Sequence, residues 1–208
     1  MKYDLHMHTF YSKCSNLKPN IILNIAKKIG LDGIAITDHN TIKGALVVSK
    51  LNKDKNFEII IGSEIKTDYG DLLAYYLQND IKSRNLFEVL DEIKKQGAVS
   101  SIAHPFRLPH LRFRYPIDKL KNKIDAIECF NSRNFFWSNK VAFNTAERLN
   151  IAKTAGSDAH FKFEIGKAYT IFDGSLRKAI KKNKTKLEGT TLYGPFGGLL
   201  SFFRNRLY

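Results

Sequence analysis

"LDGIAITDHN", residues 31–40, reads as a buried strand that runs directly into a polar turn. The apolar run "GIAI" has no polar partner at alternate positions, the pattern of a strand covered on both faces. On either side, "KPNIILNIAKKIG" (18–30) and "TIKGALVVSKLNK" (41–53) carry helical apolar spacing, the first ended by Gly30. A strand between two helices predicts a mainly parallel sheet, open or closed into a barrel. Asp38 and His39 fall just past the end of this strand.

The same order continues outward. Tyr3–His8 reads as a strand, and "FEIIIGSEI" (57–65) as a β-branched strand paired as a hairpin with "GDLLAYYLQ" (70–78). A helix over 83–96 ends near Gly97 and leads into the strand "AVSSIAHP" (98–105). "IDAIECFNSR" (124–133) and "IAKTAGSDAH" (151–160) read as strands either side of a helix at 138–149. "KAYTIF" (167–172) is the last predicted strand, before a helix at 175–183. No internal repeat or linker interrupts the series.

A chain of 208 residues with 43% hydrophobic content suits one globular domain. No apolar run reaches the length of a membrane span, and Met1 leads almost at once into a strand, leaving no room for a signal peptide. Cys14 and Cys129 are isolated and suggest neither a disulfide framework nor a zinc finger. The expectation is a soluble cytoplasmic protein. The 34 Lys and Arg outnumber the 20 Asp and Glu, a net charge of +14 that favours anionic partners. Residues 177–208 hold eight of those basic side chains against Glu188 alone. We therefore expect a barrel over residues 1–176, with a basic helix and aromatic tail over 177–208 packed on it. In that tail, Leu199, Leu200, Phe202 and Phe203, with Arg204 and Arg206, suit a short amphipathic segment packed on the barrel or across a subunit interface.

The polar residues are sorted. His6 and His8 lie on one face of the first strand; Asp38 and His39 follow "IAIT", and Glu64 follows "IIIGS". His104 follows "VSSIA", Asn131 follows "IECF", and Asp158 and His160 follow "KTAGS". Five of the six histidines thus lie on or beyond the carboxyl-end side of a strand, with His110 the exception. In α/β barrels and open sheets the loops at that end converge on one crevice. His6, His8, His39, Glu64, His104, Asp158 and His160 form an imidazole and carboxylate set suited to manganese, zinc or iron. The set exceeds what one ion needs, so two or three divalent ions are expected. Glu64 can bridge two of them, and a shared water activated to hydroxide suits hydrolysis of a phosphate ester.

"DLHMHT", "ITDHN", "GSEI", "AHP" and "GSDAH" together resemble the motifs of the PHP (polymerase and histidinol phosphatase) family of metal-dependent phosphoesterases. The resemblance covers roughly residues 1–172. It implies a distorted (β/α)7 TIM-like barrel with up to three ions at the carboxyl ends of its strands. By that resemblance, His6, His8, Glu64 and Asp158 hold a first ion, Glu64 bridges to a second on His104, and His39 and His160 serve a third. Two positions depart from the family pattern. Lys13 stands where relatives supply a third-site ligand, leaving water or the neighbouring Cys14 to complete that site. "DLLAY" puts Asp71 where some relatives carry a histidine, and an oxygen ligand there favours a harder ion such as manganese.

Arg107, in "HPFR", matches a phosphate-binding arginine of nucleotide-hydrolysing relatives, and Arg133, in "FNSR", is a second candidate for substrate binding. The stretch "HPFRLPHLRFRYP" adds Arg112, Phe113, Arg114 and Tyr115, either a base- and phosphate-binding loop or a loop packed on the barrel. Glu64 is expected to be essential for catalysis, and Asp38 or His39 to assist the leaving group. The first reading is hydrolysis of a phosphorylated small metabolite or nucleotide. The alternatives are a nuclease trimming short oligonucleotides and a nucleic-acid-binding protein with a structural metal site.

Overall fold

A computed structural model describes residues 1–107 and 112–191. His110 and the 193–208 tail, with Leu199, Leu200, Phe202, Phe203, Arg204 and Arg206, lie outside the described residues. The elements run β1 (Lys2–Asp4), α1 (Pro19–Lys28), β2 (Gly33–Ile36), α2 (Lys43–Leu51), β3 (Glu58–Thr67) and β4 (Gly70–Tyr75). They continue with α3 (Leu86–Lys95), β5 (Val99–Ile102), β6 (Ala126–Asn131), α4 (Phe136–Leu149) and β7 (Ala152–Gly156). β8 (Ala168–Ile171), α5 (Leu176–Lys181) and β9 (Lys186–Gly189) follow.

Local chemistry sets the helix ends. Pro19 opens α1, Lys27 and Lys28 sit in its last turn, and Gly30 follows at a φ of 78°. The Asn85 side chain caps α3 by accepting from the backbone N–H groups of Phe87 and Glu88 at 3.0 and 3.2 Å. Asn150 ends α4 in the left-handed region at a φ of 52°.

The strands lie in the order β7-β6-β5-β4-β3-β2-β1-β8-β9. β1, β2 and β3 pair in parallel, as do β5, β6 and β7. The expected β3–β4 hairpin forms, and β4 is also antiparallel to β5. The first strand is shorter than expected: it ends at Asp4 rather than His8. Beyond it the chain turns from β2 toward the end of β7, where Met7 forms a parallel bridge with Ala159. Asp158 N–H donates to the His6 carbonyl at 2.7 Å, and His8 N–H to the Ala159 carbonyl at 2.9 Å. These bonds close β1–β7 into a distorted barrel. At the other end of β1 the last expected strand, β8, runs antiparallel to it and pairs with β9, which the sequence reading did not include.

β2, β5 and β7 are buried at every residue, as the central strands of a barrel covered by helices should be. Tyr3 and Leu5 pack with Phe172 and with Leu176, Ala179 and Ile180 of α5, so the last helix shares the barrel core. Two glycines mark close approaches at the carboxyl end. A Cβ on Gly156 would lie 2.4 Å from the His6 Cβ and 2.5 Å from its backbone nitrogen. One on Gly44 would lie 2.0 Å from Asp38 Oδ2. No helix among the described residues is long and apolar enough to cross a membrane.

Candidate metal centre

The β1–β7 closure delivers His6 and His8 to the barrel mouth, opposite Glu64 from β3 and Asp158 from the β7 end. The two Nε2 atoms lie 3.2 Å apart. Glu64 Oε2 is 3.3 Å from each, and Asp158 Oδ1 is 3.7 Å from His6 Nε2 and 3.3 Å from His8 Nε2. All four side chains are buried. His6 Nδ1 meets Glu128 Oε1 at 2.8 Å and His8 Nδ1 meets Ser12 Oγ at 3.3 Å. With protons on those Nδ1 atoms, two Nε2 lone pairs and two carboxylate oxygens face one point, an arrangement only a positive charge makes favourable. The donor set fits a divalent cation. Burial opposes charge on His6, yet the Glu128, Asp158 and Glu64 carboxylates together hold its pKa well above the usual imidazole range. The same field attracts a metal ion.

Two further groups overlap the first. His6, Glu64 and His104 bring ligand atoms within 4.8 Å of one another, as do His8, His39 and His160. His104 Nε2 lies 2.8 Å from Glu64 Oε1, while its Nδ1 is buried without a hydrogen-bond partner among the described residues. His39 Nδ1 lies 3.1 Å from Glu64 Oε2. His39 is the exposed histidine of the cluster, and its pKa, lowered by burial, is carried well above normal by Glu64 and a hydrogen bond with Cys14. Burial, helped by His8 and Arg133, instead holds His160 well below the usual range and keeps its ring neutral. His104 and Asp158 both occupy positive φ, 28° and 55°, a backbone strain typical of functional turns.

The remaining expected residues divide. Arg107 Nη1 lies 3.1 Å from Asp158 Oδ2, at the edge of the cluster and partly open to solvent. Asp71 is half-buried beside Glu64; burial and that neighbour raise its pKa, and it belongs to none of the three groups. Asp38 is fully buried with both oxygens engaged: Oδ1 accepts from Thr9 N–H (2.8 Å) and Ser12 Oγ (2.6 Å), Oδ2 from Thr9 Oγ1 (2.6 Å). It anchors the loop after His8. Arg133 is also buried, and its Nε donates to Glu164 Oε1 at 2.8 Å while Nη2 donates to Oε2 at 3.2 Å. It braces the His160 loop, because Glu164 Oε2 accepts the His160 and Phe161 N–H groups at 2.7 and 3.0 Å.

Sequence reasoning missed two buried carboxylates behind the ligands. Glu128 orients the His6 ring with Oε1 and accepts His104 N–H with Oε2 at 2.8 Å. Asp4 accepts the backbone N–H groups of His6, Ser157 and Gly166, at 3.3, 2.8 and 2.9 Å. Burial outweighs those bonds and raises the Asp4 pKa to about 6. The signal was present: each acid has apolar neighbours on both sides, Tyr3 and Leu5 about Asp4 and Ile127 and Cys129 about Glu128, where an unpaired charge is costly.

Comparison with known proteins agrees with this geometry. The family model for the PHP domain matches residues 4–140, and that for a PHP-associated segment matches 136–185. Protein MJ0417 of Methanocaldococcus jannaschii is 36% identical over 182 residues, which cover 83% of this chain and 70% of that protein. MJ1587 of the same organism is 43% identical over 117 residues, 51% of this chain and 68% of the relative. Among solved structures, a two-domain Bacteroides vulgatus protein containing a predicted PHP-like metal-dependent phosphoesterase superposes with a TM-score of 0.77 at 22% identity. That match covers 91% of this chain and 65% of the two-domain protein, just under two thirds of its length. The lesion-specific endonuclease PfuEndoQ of Pyrococcus furiosus superposes at a TM-score of 0.66 and 19% identity, over 89% of this chain and 57% of the endonuclease. At these identities the superpositions speak to fold alone. With the PHP model spanning most of the chain and MJ0417 matched over 83% of it, this chain belongs to the PHP domain family.

Proposed function

We propose that the protein is a metal-dependent phosphoesterase acting on a small phosphorylated metabolite or nucleotide. The observation that carries this reading is the convergence of His6 Nε2, His8 Nε2, Glu64 Oε2 and Asp158 Oδ1 within 3.2–3.7 Å, beside the Arg107 guanidinium. Two or three divalent ions held by His6, His8, His39, Glu64, His104, Asp158 and His160 would supply Lewis acidity toward a phosphoryl oxygen and an activated water. Asp71 is held in reserve as a further oxygen donor at the Glu64 edge. The two oxygens of Glu64 face different imidazoles and tie the groups together. Arg107 offers its planar fork to phosphate oxygens. His39, the exposed histidine of the cluster, is the side chain suited to pass a proton to the leaving oxygen whenever it is not itself holding an ion; Asp38 positions the His8 loop.

A structural site needs about four ligands. Three overlapping groups at a strained barrel mouth favour catalysis over a purely structural ion. Residues 1–176 would carry the activity, with α5 and β9 completing the same domain. Two unpaired, buried cysteines fit a reducing compartment, and the cytoplasm is the proposed location.

The test is a screen of phosphomonoesters, dinucleotides and short oligonucleotides with manganese, zinc or iron, repeated on Arg107→Ala. That variant should keep its metal content while losing a charge-assisted contact of about 1.5–3 kcal/mol, roughly ten- to a hundredfold in kcat/KM. Arg107→Lys should recover only part. No hydrolysis of any ester with any of the three metals refutes the reading.

A further inference from the structure

β6 breaks its regular pairing at one point, beside the site. Glu128 pairs with Thr154 and Phe130 with Ala155, so two steps along β6 meet one step along β7, and Cys129 is the extra residue of a bulge. Pairing resumes with Asn131 opposite Gly156. In an unbroken strand, residues three apart face opposite sides of the sheet. The bulge brings Asn131 round to the side of Glu128, since their partners Thr154 and Gly156 are two apart on β7 and share one face. Cys129 is left pointing outward, its Sγ 3.5 Å from the Ala142 carbonyl of α4. Bulges beside active sites re-aim side chains in this way.

Asn131 is fully buried, and its contacts fix the orientation of its amide. Oδ1 accepts the Arg133 N–H at 2.9 Å, an Asx turn, which leaves the two Nδ2 hydrogens for acceptors on the other side. Those acceptors are Glu128 Oε2 at 3.1 Å and Asp158 Oδ2 at 3.4 Å. The first carboxylate backs His6 and His104; the second is a candidate ligand whose other oxygen, Oδ1, faces His6 and His8. With Oδ1 turned to Arg133, Asn131 presents donors to the centre, so it serves carboxylates and not an ion. Asn139 of α4, also buried, holds the backbone here. Its Oδ1 accepts the Asn131 N–H at 3.2 Å and its Nδ2 donates to the Asn131 carbonyl at 3.0 Å.

Arg107 Nη1 shares the same Asp158 oxygen, at 3.1 Å, and is partly open to solvent. A phosphate that draws Arg107 away therefore takes one of two donors from Oδ2. We infer that Asn131 is a positioning residue of the metal centre: it holds Asp158 and Glu128 in place, keeping Asp158 to one metal-facing oxygen while Arg107 leaves for a phosphate. A carboxylate free to rotate offers an ion one oxygen or two, so a fixed Oδ2 sets the number of donors. The two amide hydrogens also stand between two like charges, one for each carboxylate. This inference rests on the metal centre of the proposed phosphoesterase and gives Arg107 a reason to be free to move.

Asn131→Ser separates the turn from the grip. A serine hydroxyl still accepts the Arg133 N–H but is too short to reach both carboxylates. Full-length protein is stripped with chelator and titrated with zinc against a chromophoric competitor, with circular dichroism to show that each variant is folded. Asn131→Ser should bind zinc about 10–100-fold more weakly. Asn131→Thr gives the same reading if the serine variant does not fold. Cobalt(II) in place of zinc reports the donor number, which a merely structural role would leave unmoved: its visible bands should weaken in the variant as Asp158 adds its second oxygen. Arg107→Ala alone should leave zinc affinity near that of the parent. Combined with Asn131→Ser it should cost more than the product of the two single effects, because Oδ2 then loses both donors. Zinc affinity within about twofold of the parent, unchanged cobalt bands or a strictly multiplicative double variant overturns the inference. Ester hydrolysis with unchanged zinc affinity in Asn131→Ser removes this inference and leaves the phosphoesterase reading; weakened zinc binding in a protein that hydrolyses no ester does the reverse.

Discussion

Replacing Arg133 by Ala tests whether this arginine braces the site from inside. Its side chain and that of Glu164 are 3% and 2% exposed, and two forked hydrogen bonds of 2.8 and 3.2 Å join them. Removing one partner of such a buried pair strands the other charge and costs about 3–5 kcal/mol. Glu164 would keep the N–H groups of His160 and Phe161, which places the expected loss at the lower end, about 3 kcal/mol. For a chain of this size that is roughly 6–12 °C in Tm, at about 2–4 °C per kcal/mol. Urea unfolding followed by circular dichroism, in chelator, reads the loss directly. Adding Glu164→Gln to Arg133→Ala should recover part of it, since an amide oxygen still accepts the two backbone N–H groups without a stranded charge. The exposed Arg148–Asp118 pair, 2.6 Å apart, is the internal control, and Arg148→Ala should change nothing measurable. A loss below about 0.5 kcal/mol in Arg133→Ala, the range of ordinary surface changes, refutes the bracing role and returns Arg133 to the list of substrate contacts.

Glu64→Gln keeps the shape but halves the donor capacity shared among the imidazoles of His6, His8, His39 and His104; metal content by elemental analysis and turnover should fall together, by more than the about 10–100-fold of outer-shell changes. Gly156→Ala puts a Cβ 2.4 Å from the His6 Cβ and 2.5 Å from its backbone nitrogen. It should force β7 from the segment after β1 and lower both Tm and metal content, and a variant with native values for both would show that this closure is looser than described. Tyr3 and Tyr76 have phenols pushed well above the ordinary range by burial and by Glu58, to which the Tyr3 hydroxyl donates at 2.7 Å. The folded state therefore holds protons that the unfolded chain releases near pH 10, so stability should fall as pH rises beyond about 10. Tyr3→Phe should flatten that slope, and a Tm equally steep in the variant would exclude Tyr3 as a source.

The barrel was legible because its parallel strands are unbroken apolar runs between amphipathic helices, and "GIAI" between α1 and α2 is the plainest case. Direction was harder to read. "KAYTIF" has the composition of a strand in either orientation, and β8 runs antiparallel because it fills the edge that β1 leaves when the chain after Asp4 moves across to β7. β9 reads "KLEG", with two charged residues and a glycine and mostly exposed, so it carries no apolar period to detect. The early end of β1 has the same cause as the closure. His6–His8 exchange hydrogen bonds with Asp158 and Ala159, a partner more than 150 residues away that no local pattern names.

At the site the ligand types were legible because histidines are few and gather at strand ends, but what holds them was not. Asp4 accepts the His6 N–H, Asp38 the Thr9 N–H, Glu128 the His104 N–H, and Glu164 the His160 N–H. Each of these four buried carboxylates grips the backbone of a ligand or its immediate neighbour. Sequence can show a carboxylate; it does not show whether that carboxylate faces an ion or a peptide group, because the choice depends on which loop the fold brings behind it. Asp38 illustrates this: it neighbours His39 in the chain, yet spends both oxygens on Thr9 and Ser12. The arrangement also explains how a chain with a net charge of +14 can build a centre for cations. The excess lysines lie outside, while the interior of the mouth collects carboxylates whose hydrogen bonds pin the ligands in place. Ligands fixed in advance lose little freedom when an ion binds, which raises affinity without any additional donor.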